Sequence, residues 1–219
     1  GTGVGSGNTI NATGSSSVAG VRLFKSYPTL ALDTLGATGV QDGRLMRFRV
    51  TANSNGSIGI SELTFTIATT SVAVTNLQLF AYTDASYSSP IGGQGTSGQI
   101  GATSATYNGS ALTISPITGS VTSPVQVSAG QVVYFELKGS IAPAASSYSV
   151  VTTLLGDSAY QTNLTPTYNV STSSAATSTS SFVWSGNATS TSGLFDVDWS
   201  NGYGLPGFSA SGLIQTRSN

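Results

Sequence analysis

From Val18 to about Leu155, apolar positions recur at every second residue. Met46, Phe48 and Val50 alternate with Arg47 and Arg49; Leu63, Phe65 and Ile67 alternate with Glu62, Thr64 and Thr66; Val133, Phe135 and Leu137 alternate with Tyr134, Glu136 and Lys138. A period of two turns one face of an extended strand to a core and the other to water. Turn signals punctuate the runs at Asp42-Gly43, Asn55-Gly56, Gly92-Gly93, Asn108-Gly109 and Ala129-Gly130. Short strands with such punctuation predict an all-β fold, an antiparallel β-sandwich of jelly-roll or immunoglobulin-like type, with Phe48, Phe65, Val133 and Phe135 in its core. Val72 and Val74 share one face while Leu77 and Leu79 have moved to the other, which places a bulge near Thr75-Asn76. No stretch repeats at 3.6 residues, so little or no helix is expected.

The pattern is interrupted twice. Residues 1–17 are rich in Gly, Ser, Thr and Asn and read as a flexible arm, and Ser171 to Ser181 is a second low-complexity stretch. The chain therefore divides into an arm (1–17), a sandwich (18–170), a Ser/Thr-rich linker (171–181) and an aromatic tail (182–219). That tail holds both tryptophans, with Phe182, Phe195 and Phe208, and is too apolar to be a solvated linker. It has to dock, on its own domain or on a neighbour. Upstream, Val18 to Pro28 carries alternating apolar residues behind a flexible leader. It reads either as a strand donated to a neighbour's sheet edge or as the first strand of its own domain. Val21, Leu23, Trp184, Phe195 and Trp199 are the candidate assembly residues.

Composition narrows the chemistry. Of 219 residues, 67 are Ser or Thr, 7 are Lys or Arg, 8 are Asp or Glu, and none is Cys or His. Charged residues at 7% fall far below the roughly 25% of ordinary soluble domains, while 38% hydrophobic content is enough to build a core. A net charge of -1 offers no cluster of cations for phosphates, so nucleic acid is not an expected partner. No run of 18 apolar residues appears, so no membrane insertion is expected; the start, Gly1-Thr-Gly-Val-Gly-Ser, reads as a mature or excised product. Without cysteine, stability rests on packing, backbone ladders, glycans, bound ions or assembly. Scarce charge with abundant Ser, Thr and Gly is the signature of an extracellular surface protein.

Without His or Cys, triad nucleophiles and His/Cys zinc sites are impossible in this chain, and no catalytic residue is assigned. Asp196 and Asp198 would project from one side of a strand about 7 Å apart, given a rise of roughly 3.4 Å per residue, a spacing that overlaps that of inverting glycosidases. A solvent-facing or cation-bound pair is the plainer reading. Asp196-x-Asp198-x-x-Asn201-Gly202 offers hard oxygens at loop spacing and is the candidate Ca2+ site, although it lacks the bidentate Glu that completes such loops. Asp84 and Asp157 are scattered loop acids. Sequons at Asn11, Asn55, Asn108, Asn163, Asn169 and Asn187 are candidate glycosylation points, several of them expected by chance in so Ser/Thr-rich a chain. Tyr82, Tyr87 and Tyr107 are candidate platforms for stacking on sugars, with half-buried strand-end tyrosines as the plainer alternative. Lys25 and Lys138 fall in expected strands; Lys138 near Glu136 could form an intramolecular crosslink to an Asn, or simply guard an edge.

The stretches VAGVRLFKSYPTLALDTL and QDGRLMRFRVTA, and above all the ending FVWSGNATSTSGLFDVDWSNGYGLPGFSASGLIQTRSN, resemble Ser/Thr-rich secreted surface proteins of candidate-phyla bacteria of the Parcubacteria type. The resemblance runs from about residue 18 to the C-terminus and implies a cell-surface location and a native C-terminus. It implies no catalytic residue. Together these observations lead to one expectation: a structural subunit that polymerises with copies of itself into a filament or surface layer by strand or tail exchange. The alternative is a monomeric adhesin or carbohydrate-binding module.

Overall fold

The computed structural model describes residues 23–107, 109–116, 123–161, 180–187 and 198–219. Their strands are β1 (Pro28–Asp33), β2 (Arg44–Ala52), β3 (Ile58–Thr70), β4 (Val72–Tyr82), β5 (Gln99–Thr106), β6 (Leu112–Ile114), β7 (Val125–Val127), β8 (Val132–Pro143), β9 (Ser149–Leu154), β10 (Phe182–Ser185), β11 (Trp199–Asn201) and β12 (Leu213–Ser218). Helical structure among the described residues is limited to two single 3-10 turns, Val40–Asp42 and Thr96–Gly98.

Two antiparallel sheets face one another, as the alternation predicts. The first runs β1-β2-β8-β4-β5, and the second runs β11-β10-β3-β9-β12, with β6 and β7 also on β3. β3 is long enough to be paired twice on each side. Gly59 meets both Ser185 and Gln126, and Phe65 meets both Leu154 and Leu112. So β10 and β9 follow one another along one side of β3, and β7 and β6 along the other. The core lies between the sheets: Phe48 stacks on Phe135 with ring centroids 5.0 Å apart, and Phe65 closes on Phe48 at 6.1 Å. All three are fully buried, each contributing roughly 1.5–3 kcal/mol by leaving water. The bulge inferred near Thr75-Asn76 is present, since pairing with β8 shifts between Thr75 and Gln78 and Asn76 takes φ +49°.

The described residues of the segment set apart in the sequence as a tail, 182–187 and 198–219, dock on their own domain. They supply β10, β11 and β12, and Trp184 and Trp199 are buried inside the chain rather than offered to a neighbour. β10 needs a partner on each side and finds β3 and β11. β12 lies on β9 over six residues. The upstream stretch is also held at home from Phe24 onward. The Phe24 ring packs on Trp184 at 4.9 Å, Ser26 Oγ donates to the Gly56 carbonyl at 2.6 Å, and Pro28 opens β1. Lys25, expected in a strand, precedes β1 and is exposed.

One turn ties the C-terminal part to the first sheet. Leu30 N donates to Pro206 O at 3.1 Å, and Gly207 follows at φ +73°, where an added Cβ would collide with the Leu30 carbonyl. Gly207→Ala is therefore expected to lower unfolding free energy by about 2 kcal/mol, read as a lower urea midpoint at unchanged slope. A variant within a few tenths of the parent would show that the turn moves without cost.

Candidate interaction surfaces

The outward face of the first sheet carries six of the thirteen described charged residues, Asp33, Arg44, Arg47, Arg49, Glu136 and Lys138. Arg47, Tyr134, Glu136, Lys138, Phe80 and Tyr82 lie there because paired residues of an antiparallel ladder share a face: Arg47 opposes Glu136, Tyr82 opposes Tyr134. Glu136 is buried under three cations. Arg47 Nη2 and Arg44 Nε reach Oε1 at 2.7 and 3.4 Å, and Lys138 Nζ reaches Oε2 at 2.8 Å. For Lys138, burial disfavours the ammonium, but the hydrogen bond and charge of Glu136 outweigh it and hold its pKa above the ordinary lysine value. No Asn is among these partners, and Lys138 is half-exposed, so the setting of a Lys–Asn crosslink is not assembled here.

The tyrosines singled out from the sequence are taken up by the fold. The Arg47 guanidinium lies 3.8 Å above the Tyr87 ring, and Tyr87 donates its hydroxyl to Asp33 at 2.9 Å. Burial and that bond to Asp33 push the phenol well above its usual range. Tyr82 is buried against Tyr87, and Tyr107 accepts the Ile67 N–H at 2.9 Å. Tyr82 is buried and Tyr87 and Tyr107 are half-buried, as strand-end tyrosines of a sandwich are.

The exposed tyrosines are others. Tyr27, Tyr160 and Tyr203, 39–52% exposed, line a cleft of about 350 Å3 with Leu23, Leu205 and Pro206, floored by Trp184. They come from three loops: the lead-in to β1, the segment after β9, and the turn after β11. Among the described residues no charged side chain lines the cleft. Tyr203 had a readable signal, since Asn201-Gly-Tyr-Gly-Leu-Pro is turn sequence with an aromatic that no strand pattern claims.

The candidate calcium segment is partly described. Asp196 and Phe195 lie outside the described residues; Asp198 Oδ2 accepts the Ser185 hydroxyl at 2.7 Å; Asn201 Nδ2 donates to Ala159 O at 2.7 Å. Asp198 and Asn201 thus engage different partners. No three His, Cys, Asp or Glu side chains gather among the described residues. Asp157, a bland loop acid in the sequence, is a structural hub: it accepts the N–H groups of Ser181 at 2.7 Å, Phe182 at 3.3 Å and Gly202 at 2.8 Å. Glu62 alternates like a surface residue, yet it is buried. Burial, with the negative charge of Asp157 added, pushes its carboxyl up to about 7.

Of the sequons, Asn11, Asn108, Asn163 and Asn169 lie outside the described residues. Asn55 is exposed on the turn between β2 and β3. Asn187 is buried, and its Nδ2 donates to Ser57 Oγ at 3.0 Å and Gln126 Oε1 at 2.8 Å. The folded chain therefore cannot carry a glycan there, because the sugar would replace those bonds and needs solvent access.

The sheet edges differ in protection. β1 is covered where Leu30 N meets Pro206 O, β12 where Ser218 N meets Ala37 O at 2.7 Å, and β11 is three residues long. β5 pairs with β4 alone among the described residues, and its sequence QIGATSAT has no charge and no proline. Of the assembly candidates, Val21 lies outside the described residues and Leu23 is 89% exposed. Compared with known proteins, the chain matches no protein-family model and no curated protein.

Proposed function

We propose that this chain is a structural subunit of an extracellular cell-surface assembly, a filament or surface layer, in which an extended segment of one subunit pairs with the β5 edge of the next. The observation that carries the reading is the β5 edge itself. Natural sheets guard edges with charge, proline, bulges or covering loops; β5 has neither charge nor proline along its eight residues, and the guards it does have, a bulge about Gly101 at φ +67° where its pairing with β4 shifts and the Gly95 N–H on Gln99 O at 3.0 Å, lie in its N-terminal half. The donor is the stretch that precedes the exposed Leu23, residues 1–22 including Val21, because the chain from Phe24 onward is committed to its own domain. Head-to-tail donation does not close on itself and gives fibres. A surface with few Lys and Arg and many hydroxyls fits an extracellular location.

The test is a chain lacking residues 1–22 compared with the full chain by sedimentation and negative-stain electron microscopy. The full chain assembles; the shortened chain keeps its circular dichroism and unfolding midpoint but stays monomeric. Fibres from the shortened chain, or a full chain that never assembles, would overturn the reading.

The aromatic cleft, with no charged side chain among its described lining residues, favours a second reading, a monomeric adhesin that stacks a neutral sugar ring on Tyr27, Tyr160 and Tyr203. On this reading Tyr203→Ala weakens sugar binding about tenfold, or roughly 1.4 kcal/mol, with oligomeric state unchanged. Calorimetric titration with a sugar found on a glycan array checks it, and equal affinity for both chains would sink it.

A further inference from the structure

Glu62 of β3, Val183 of β10 and Asn201 of β11 form one cross-strand row, Val183 pairing with Glu62 on one side and Asn201 on the other. Their side chains share a face, and it is not the core face, which takes Phe182 and Trp184. The loop leaving β9 covers the row. Ala159 O receives the Asn201 amide, and Asp157 is held over the strand ends by the N–H groups of Ser181, Phe182 and Gly202.

Among the described residues this enclosed place is short of positive charge and of donors. Glu62 and Asn201 are each 1% exposed, and Glu62 Oε2 and Asn201 Oδ1 have no hydrogen-bond partner among the described residues. Two buried acceptors in one row, beside a second carboxylate, call for a donor or a cation. No ion pair among the described residues reaches Glu62 or Asp157; Arg44, Arg47, Arg49, Lys138 and Arg217 are all paired elsewhere. Water could bond both acceptors but would leave the charge of two carboxylates uncompensated.

The geometry points to a cation site in this row for a hard divalent ion of the calcium kind, held by Glu62 Oε2, Asn201 Oδ1 and the Asp157 carboxylate. Calcium takes oxygen ligands of mixed type and tolerates irregular shells, so carboxylate, carboxamide, backbone carbonyl and water together suit it better than magnesium, which demands a near-ideal octahedron. The site shares only Asn201 with the loop pattern Asp196-x-Asp198-x-x-Asn201. Its ion would join β3, β10, β11 and the Asp157–Ala159 segment, and so fasten the C-terminal strands to the body of the sandwich. The inference does not depend on assembly.

The experiment uses the full chain, stripped with chelator and titrated with CaCl2 or MgCl2 by calorimetry and thermal unfolding. One calcium site is expected, with a Kd of about 10⁻⁴–10⁻³ M, as in extracellular modules. The Tm should rise by roughly 3–10 °C at 10 mM calcium, and magnesium should do less. Glu62→Gln abolishes both signals and Asp198→Asn leaves both unchanged. Should Glu62→Gln not fold, Asn201→Asp serves instead: its added charge tightens calcium binding several-fold. Unchanged binding in Glu62→Gln or Asn201→Asp overturns the site, as does loss of binding in Asp198→Asn. So does a parent chain indifferent to calcium, in which a proton on Glu62 does the neutralising.

Discussion

Replacing Arg217 with methionine is expected to lower the unfolding free energy by about 3–5 kcal/mol, a large share of the roughly 5–15 kcal/mol that holds an ordinary domain together. Arg217 sits near the end of β12, 4% exposed, and its guanidinium donates four hydrogen bonds to the connection between β1 and β2 and to the first residue of β2. Nε reaches Gly36 O at 2.9 Å, Nη2 reaches Thr38 O at 2.8 Å, and Nη1 reaches both Arg44 O and Asp42 Oδ1 at 2.6 Å. Three of those acceptors are backbone carbonyls that methionine would strand without donors, and each stranded group costs about 1–3 kcal/mol. Lysine keeps the charge but presents its donors from one atom, so Arg217→Lys should lose about 2 kcal/mol and not recover the parent.

The same contact has a pH signature. Burial raises the Asp42 pKa, but the Arg217 bond, the Arg44 N–H and both positive charges outweigh it, and the net shift is downward. A carboxyl whose folded pKa is depressed contributes stability above its unfolded pKa of about 3.9 and loses it as pH falls through the lower folded value. The parent should therefore lose stability more steeply than Arg217→Met below about pH 4. Urea titrations at pH 7 and pH 3 check both statements. A methionine variant within about 1 kcal/mol of the parent at pH 7 would show that the carbonyls find water instead.

The elements that carry the core were legible because one of their faces is wet. Arg47 and Arg49 in β2, and Tyr134, Glu136 and Lys138 in β8, stand on the outward polar face, where even the buried Glu136 is matched by its cations, so the two-residue period appears without noise. The second sheet hides its period. All four residues of β10, Phe182 to Ser185, are buried, because the loop after β9 covers the face that would have been wet. A strand dry on both sides and only four residues long shows no alternation, and the sequence therefore reads as an apolar tail. The same cover turns Glu62, which alternates correctly, into a buried carboxylate. Tyr27, Tyr160 and Tyr203 meet from sites more than forty residues apart in sequence, a convergence that no local pattern records. Tyr87 shows the same limit: the sequence shows an aromatic in a turn but not the Arg47 guanidinium that lies over its ring.

Trp184 decides between a tail that belongs to the fold and one that only joins subunits. Its ring is buried, Phe24 packs on it, and its Nε1–H donates to the Asn201 carbonyl at 2.8 Å, linking β10 to β11. Trp184→Ala removes a large buried ring and leaves that carbonyl without its donor, so a loss of about 3–5 kcal/mol is expected. Trp184→Phe keeps most of the apolar volume and should lose about 1–2 kcal/mol, the hydrogen bond and a small void. Both are read by urea unfolding of the full chain at concentrations too low for assembly. If the tail contributed only contacts between subunits, neither variant would change the unfolding of the monomer, and the difference would appear only in assembled material. Phe24 lies on the same ring, so Phe24→Ala and Trp184→Ala should combine to less than the sum of their separate losses, since each removes the partner of the other. Additive losses would mean that the lead-in to β1 and the C-terminal strands are held independently, and that the chain ahead of Phe24 could be drawn away to a neighbour without loosening β10.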